Sequence, residues 1–598
     1  MVQPDIPWLA AGGSPTMLAP CPAGWHERTG EGSAPWCEPF EDEVVASCEP
    51  GDARFVGEAA CAPIGGPCPA GDFATDLPTD RPVLYVLEGA PAGGDGTASQ
   101  PYASLRDFAF GGLSASTVIA LGRGRYEGPV RLTRITLWGA CAAQSELWTS
   151  EPHAEDGLVT VAGPDVEIKR LRLGESPRPG VWAVGPGRSL RLEDVEVTQV
   201  RAMGMYVLSG AAVTADGLVV RDTQADPGGR FGRGITVGVD ASAELSRVVF
   251  ERNRGTSVVG FGEGTRLVLQ DAIVRDAQGL LADGTGGRGV GIETGARAEV
   301  SRALIADNRV GAIFVGAVGA HLVLEDAVVR DTLGQDSDGS FGTGLTVQDG
   351  ASAEVSRVLF ARNLESGVIS TNPGSEVALT DVIVRDTESR RPDLLMGRGL
   401  VVQREGSATV LRASFERNRE IAVGVSGPGA RLTMSDVLVR DTRSRAADDA
   451  FGRALGTQDG GWVEVSRGVF DHNRNFALLS VGSGAEMTLE DSVISNTVGA
   501  ECLDGDCPDG TAGTSLAAID GGVLGLTRFA IRDAVLCGLM VAQDGEADLS
   551  EGEIVGCEIG ACLQVDGYDV TRLQEGVRYR DNGTNLQATM LPVPAAIL

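Results

Sequence analysis

Residues suited to chemistry fall into a few groups, which spacing tells apart. Two acidic runs, Asp336-Ser-Asp338 and Asp504-Gly-Asp506-Cys-Pro-Asp509, place carboxylates at alternate positions. Such runs suit Ca²⁺, but neither has the full twelve-residue calcium-loop pattern, so solvated acidic loops are expected and no cofactor is assigned. A second group is a row of loops carrying Phe231, Arg233, Phe341, Met396, Arg398, Phe451 and Arg453. The apolar members fall at multiples of 55 residues, with Gly286 breaking the series. Each apolar residue can tuck its loop onto the body; the functional reading is a wall beside a shallow groove, holding a glycan or protein. General acid–base work on a glycan needs two carboxyls flanking the scissile bond, or an Asp cluster with an Arg or Lys base. The histidines, His26, His153, His321 and His472, occur singly and without metal-ligand spacing, and the lone lysine, Lys169, fits a solvated strand edge. No catalytic residue is assigned.

The loops are positioned by an internal repeat. A Val-Arg-Asp-Thr motif at Val220–Thr223 returns at Val274–Ala277, Val329–Thr332, Val384–Thr387 and Val439–Thr442. Phe-Glu-Arg-Asn at Phe250–Asn253 returns at Ile305–Asn308, Phe360–Asn363, Phe415–Asn418 and Phe470–Asn473. The two interleave, so each 55-residue repeat is two units of about 24 residues, one with an insertion of about seven. Short alternating runs within a unit, such as Gly344–Gly350, Ala353–Val355 and Val358–Phe360, predict three strands separated by turns. One unit cannot bury its apolar face, so parallel units must stack: an all-β fold, a β-solenoid.

Stacking in register sets equivalent residues opposite one another. The position before each third strand reads Asp216, Arg247, Asp271, Arg302, Asp326, Arg357, Asp381, Arg412, Asp436, Arg467 and Asp491, with signs alternating throughout. A second column, Arg221, Glu251, Arg275, Ala306, Arg330, Ala361, Arg385, Glu416, Arg440 and Asp471, follows the same rule with neutral gaps. A third, containing Asp276, Asp307 and Asp331, is less regular. A charge repeated at fixed spacing reads as scaffold, each exposed pair contributing about 0.2–1 kcal/mol to register.

The segments Gly93-Gly-Asp-Gly-Thr-Ala-Ser-Gln-Pro101, Tyr102-Ala-Ser-Leu105, Ala120–Tyr126 and Leu137-Trp-Gly139 resemble the opening of many bacterial right-handed parallel β-helix proteins of the pectin-lyase-like type. The Cys-rich N-terminal stretch resembles segments of myxobacterial surface proteins and lipoproteins. The resemblance implies a right-handed parallel β-helix over 83–590, with regular repeats over about 200–497 and irregular coils over 498–590, then a tail, 591–598. It leaves activity open, since the family includes lyases, polygalacturonases, epimerases and non-enzymatic adhesins.

Composition narrows the partners. The 598-residue chain has 50 Lys+Arg against 82 Asp+Glu, a net charge of -32, which argues against nucleic acid. No apolar run reaches the roughly 20 residues of a membrane span. Cys21, Cys37, Cys48, Cys61 and Cys68 in residues 1–82 predict a disulfide-stapled acidic cap, with Cys141 the natural sixth partner. Cys502 with Cys507, and Cys537 with Cys562, can pair, leaving Cys557; connectivity stays open. The expectation is an exported monomer, secreted or on the outer cell surface, its leader absent from this chain. It would act as a binding or scaffold protein for a polysaccharide or surface protein through the stacked loops. The rival is a polysaccharide lyase, glycoside hydrolase or epimerase working along the solenoid.

Overall fold

A computed structural model describes residues 16, 18–30, 34–41, 48–151, 154–501 and 513–588. Tail residues 591–598, Cys502, Cys507, Asp504, Asp506, Asp509 and His153 lie outside them. The chain is a right-handed parallel β-helix. From Met203 to Arg532 each coil has a six-residue strand, as in Arg233–Gly238, and a ten-residue strand, as in Ser242–Glu251. The short strands form one parallel ladder from Val130–Leu132 to Thr584–Ala588, and the long strands belong to another of 23 strands.

Each long strand is two of the predicted strands fused around one residue in the left-handed region, such as Arg247 (φ 52°) or Asp271 (φ 52°). The early coils show the unfused form. Val83–Val86, Val118–Leu121, Thr136–Gly139 and Val166–Lys169 pair in succession, the last of them with the first half of Ser189–Thr198, and Arg172–Gly174 pairs with its second half. Inward Val, Leu, Ile and Phe columns form one continuous core, each large side chain contributing about 1.5–3 kcal/mol.

The left-handed column is the alternating ladder, with one correction. Its member beside Asp194 and Arg247 is Gly217 (φ 73°); Asp216 lies one place earlier, opposite Ser246. Each later arginine reaches back to the aspartate of the preceding coil: Arg302 to Asp271, Arg357 to Asp326 (2.5 Å), Arg412 to Asp381 (2.7 Å) and Arg467 to Asp436 (2.6 Å). The series runs on to Arg528 and Asp491 (2.7 Å). Much of the second column is not an exposed one: Arg221 is 1% exposed between Glu196 and Glu251.

Within residues 1–82, Ala74 and Leu77 pack with Val83, Val118 and Trp138 of the first coils. The described part is a strap along the flank of the solenoid, where Trp25, Trp36, Phe40, Phe55 and Ile64 pack on the outward column Val219, Val249, Ile273, Leu304, Val328, Leu359 and Ile383. That column is apolar and outward-facing, so it needs a cover of its own. The strap also answers the neutral gaps at Ala306 and Ala361: Glu38 pairs with Arg330 (3.5 Å), and Trp36 lies under Arg385, 3.8 Å from ring centroid to guanidinium carbon. Disulfides join Cys21 to Cys37, Cys48 to Cys61, Cys68 to Cys141 and Cys537 to Cys562, and Cys557 is buried and free. Tyr102, Phe108, Phe110 and Leu113 pack against the core near its first coils, and Val565, Tyr568, Val570 and Tyr579 near its last. Among the described residues no helix is long and apolar enough to cross a membrane.

Candidate functional site

Alternation along a short strand turns its fourth and sixth residues outward, and the first borders the loops. On the short-strand face these positions form a trough floor that includes Trp182, Tyr206, Phe261, Phe314, Glu293 and Gln348, all half-buried. Trp182 and Tyr206 stack at 4.6 Å.

One side of the trough is walled by the inserted loops, which touch one another two coils apart. The Ala282 N–H donates to Gly229 O (3.0 Å), and the Ser337 N–H donates to Gly284 O (3.1 Å). Phe231, Phe341, Met396 and Phe451 all hold φ of 60–66° at equivalent places, a region that suits glycine, which explains Gly286 (φ 77°) in the same column. Phe231 (37% exposed), Leu281 and Phe341 (46% exposed) stand on the crest. Phe451 does not: it is buried between Arg445 and Arg453, each 4.4 Å from its ring.

The arginines that follow these residues divide in the same way. Arg398 is buried and donates to Glu420 (2.6 Å), and Arg453 is fully buried and donates to Asn475 Oδ1 (3.2 Å). Both are structural, contrary to their expected place in a binding wall. Arg233 and Arg288 remain half-buried in the trough. Arg288 lies over Phe314 (4.3 Å) and Arg233 near Phe231 (5.7 Å), and neither has a carboxylate within ion-pair distance among the described residues. Burial pushes both guanidiniums below their ordinary range, and Glu293 pulls both back up.

A second left-handed column decides which arginine is paired. It reads Ala202, Gly255, Val310, Glu365, Glu420 and Asn475. Glu420 accepts from Arg398 and from the Met396 N–H (2.6 Å), whereas Arg233 and Arg288 face the rows of Gly255 and Val310, which offer no carboxylate. Between the loops, Arg288, Val310, Phe314, Phe341, Thr343 and Gln348 help line a cavity of about 380 Å³.

The acidic run at Asp336 has local partners. Asp336 binds Arg309 (3.0 Å) and the Gly279 N–H (3.1 Å), while Asp338 accepts from Gln335 and Ser340 (2.8 Å each), contacts that hold its carboxyl below the usual range. Among the described residues no cluster of three potential metal ligands occurs. Sequence reasoning missed Arg288, Tyr206, Glu293 and Phe314. For Tyr206, Glu293 and Phe314 the available signal was the outward positions of the short strands, and for Arg288 it was the column it shares with Arg233, Arg398 and Arg453.

No family model and no curated protein sequence matches the chain. Among solved structures, the pectate lyase Pel9A matches with 13% identity over 70% of this chain and 80% of its own, at a TM-score of 0.30. The PL6-family alginate lyase AlyGC matches with 9% identity over 84% and 99%, TM-score 0.19. The mannuronan C-5 epimerase AlgE4 A-module from Azotobacter vinelandii matches with 13% identity over 84% and 98%, TM-score 0.17.

Proposed function

We propose that this is an extracellular binding protein that holds an extended polysaccharide in the trough, against the loop wall, without cleaving it. The observation that carries the reading is the pair Arg233 and Arg288, two unpaired guanidiniums beside aromatic rings in a walled groove. An arginine kept part-buried without a carboxylate is costly unless a ligand supplies the anion, and the planar fork suits carboxylate or sulfate. Equivalent backbone positions two coils apart are about 9.5 Å apart, close to the length of a disaccharide, so both arginines can face successive acidic groups of one chain. Exposed Phe231 and Phe341 offer faces on which sugar rings stack.

The test is retention of acidic and neutral polysaccharides by the native protein and by the double variant Arg233→Gln/Arg288→Gln, with ultraviolet and reducing-end readouts for product. Acid-selective, salt-sensitive binding that falls at least tenfold in the variant, without product, supports the reading. Equal binding of neutral glycans, or no loss in the variant, contradicts it, and product formation would establish a lyase, hydrolase or epimerase instead.

A further inference from the structure

The repeats place an arginine and a carboxylate together in one row: Arg398 with Glu420, and its counterpart Arg453 with the neutral Asn475. One repeat lower, the carboxylate is present and the arginine is missing. Glu365 occupies the Glu420 position (φ 60° against 59°), but the residue in the place of Arg398 is Thr343. The Phe341 N–H acts on the Glu365 carboxylate as the Met396 N–H does on Glu420. What is lost is the second donor: Glu365 Oε2 is buried with no hydrogen-bond partner, the place in which Glu420 Oε1 receives Arg398.

Nothing nearby fills the vacancy. Arg398 binds Glu420 through one terminal nitrogen while its Nε is buried with no partner, and Arg390 binds Asp393 (2.5 Å), so neither forms an ion pair with Glu365. Burial pushes its carboxyl up, against the pull of Arg390 and Arg398. A buried acceptor without a donor costs about 1–3 kcal/mol, which a ligand carrying the missing donor recovers. Thr343 is shorter than arginine and lies on the wall of the 380 Å³ cavity that also holds Phe341 and Arg288.

We infer that the Thr343–Glu365 gap is a binding site for a cationic group, the ammonium of an amino sugar in the polysaccharide held by the trough. This rests on the trough reading and deepens it: the glycan carries acidic groups that face Arg233 and Arg288 and a free amine one repeat further on. A neutral N-acetyl group would bring no charge to Glu365 and more bulk.

The test uses the full chain and one probe in two forms, an oligouronate ending in glucosamine with a free amine and the same oligosaccharide with that amine N-acetylated. The native protein should bind the free-amine form at least tenfold more tightly. Glu365→Gln, which keeps shape and removes charge, should abolish that preference, and Thr343→Arg, which supplies the donor from within, should abolish it while raising thermal stability. Equal binding of the two forms by the native protein, or an unchanged preference in Glu365→Gln, would overturn the inference and leave the trough reading intact. Binding of neither form would contradict the trough reading and this inference together.

Discussion

Asn363 grips Thr332 in the coil below: its Oδ1 accepts the Thr332 hydroxyl (2.7 Å) and N–H (3.3 Å), and its amide donates to Val329 O (3.1 Å). The same clamp recurs at Asn253 on Thr223, Asn418 on Thr387 and Asn473 on Thr442. The asparagines therefore bond downward to threonine rather than stacking on one another. Asn363 is fully buried, so Asn363→Ala strands a hydroxyl, an N–H and a carbonyl. It should cost about 2–3 kcal/mol, read in a denaturant titration, while Arg357→Ala on the ladder should cost under about 1 kcal/mol. Equal costs would contradict the assignment of stability to the buried clamp.

Trp36 holds the strap by its packing on the outward column and by Arg385 above its ring. Trp36→Ala should remove about 3 kcal/mol of local stability. The effect should be confined to faster hydrogen exchange over 34–41 and 48–64 and over the long strands beneath, with the short-strand ladder unchanged. Global unfolding at the same midpoint shift would show instead that the strap and the solenoid are one cooperative unit.

Asp307 breaks the alternation of the third column, since its neighbours in adjacent coils are Asp276 and Asp331 rather than arginines. Partial burial and those two carboxylates push it up to about 6, against the pull of Arg330 and Arg275. Glu49 of the strap lines the adjoining cavity. A raised carboxyl favours the protonated fold, so its stability contribution is fully present below about pH 4 and is lost as pH rises through about 6. The side chain is open to solvent, so screening limits the effect to about 1 kcal/mol. Protection factors in these coils, corrected for the intrinsic base-catalysed rate, should fall between pH 4.5 and 7.5, and Asp307→Arg should remove the difference; a rise in protection with pH would contradict the sign.

Phe341 is held in the left-handed region while nearly half exposed, so it gives up backbone comfort for little burial. Phe341→Gly should raise stability by about 1 kcal/mol and weaken polysaccharide binding severalfold. A loss of stability would mean that the ring pins its loop.

The coil length, the register and the alternating ladder were legible because a parallel solenoid repeats one backbone environment every 55 residues. Asp216 was misplaced by one residue because the column is defined by a left-handed turn, which Gly217 meets without a charge. The strap was hidden for a different reason. Its contacts join residues far apart in sequence, and only the neutral gaps at Ala306 and Ala361 marked where Glu38 and Trp36 intrude. At the candidate site, Phe231, Arg233 and Phe341 were legible as a row, but Arg398, Phe451 and Arg453 looked identical to them in spacing. What separates the two groups is the second left-handed column, where Val310 gives way to Glu365 and Glu420, a contrast that spacing alone did not reveal.

The most direct test of the central claim is hydrogen-exchange footprinting of the full chain with and without an acidic oligosaccharide. The account predicts protection over Arg233–Gly238, Arg288–Glu293 and the loops at 278–287 and 333–342, with the strap unchanged. Protection along the strap flank, or none in the trough at saturating ligand, would contradict it.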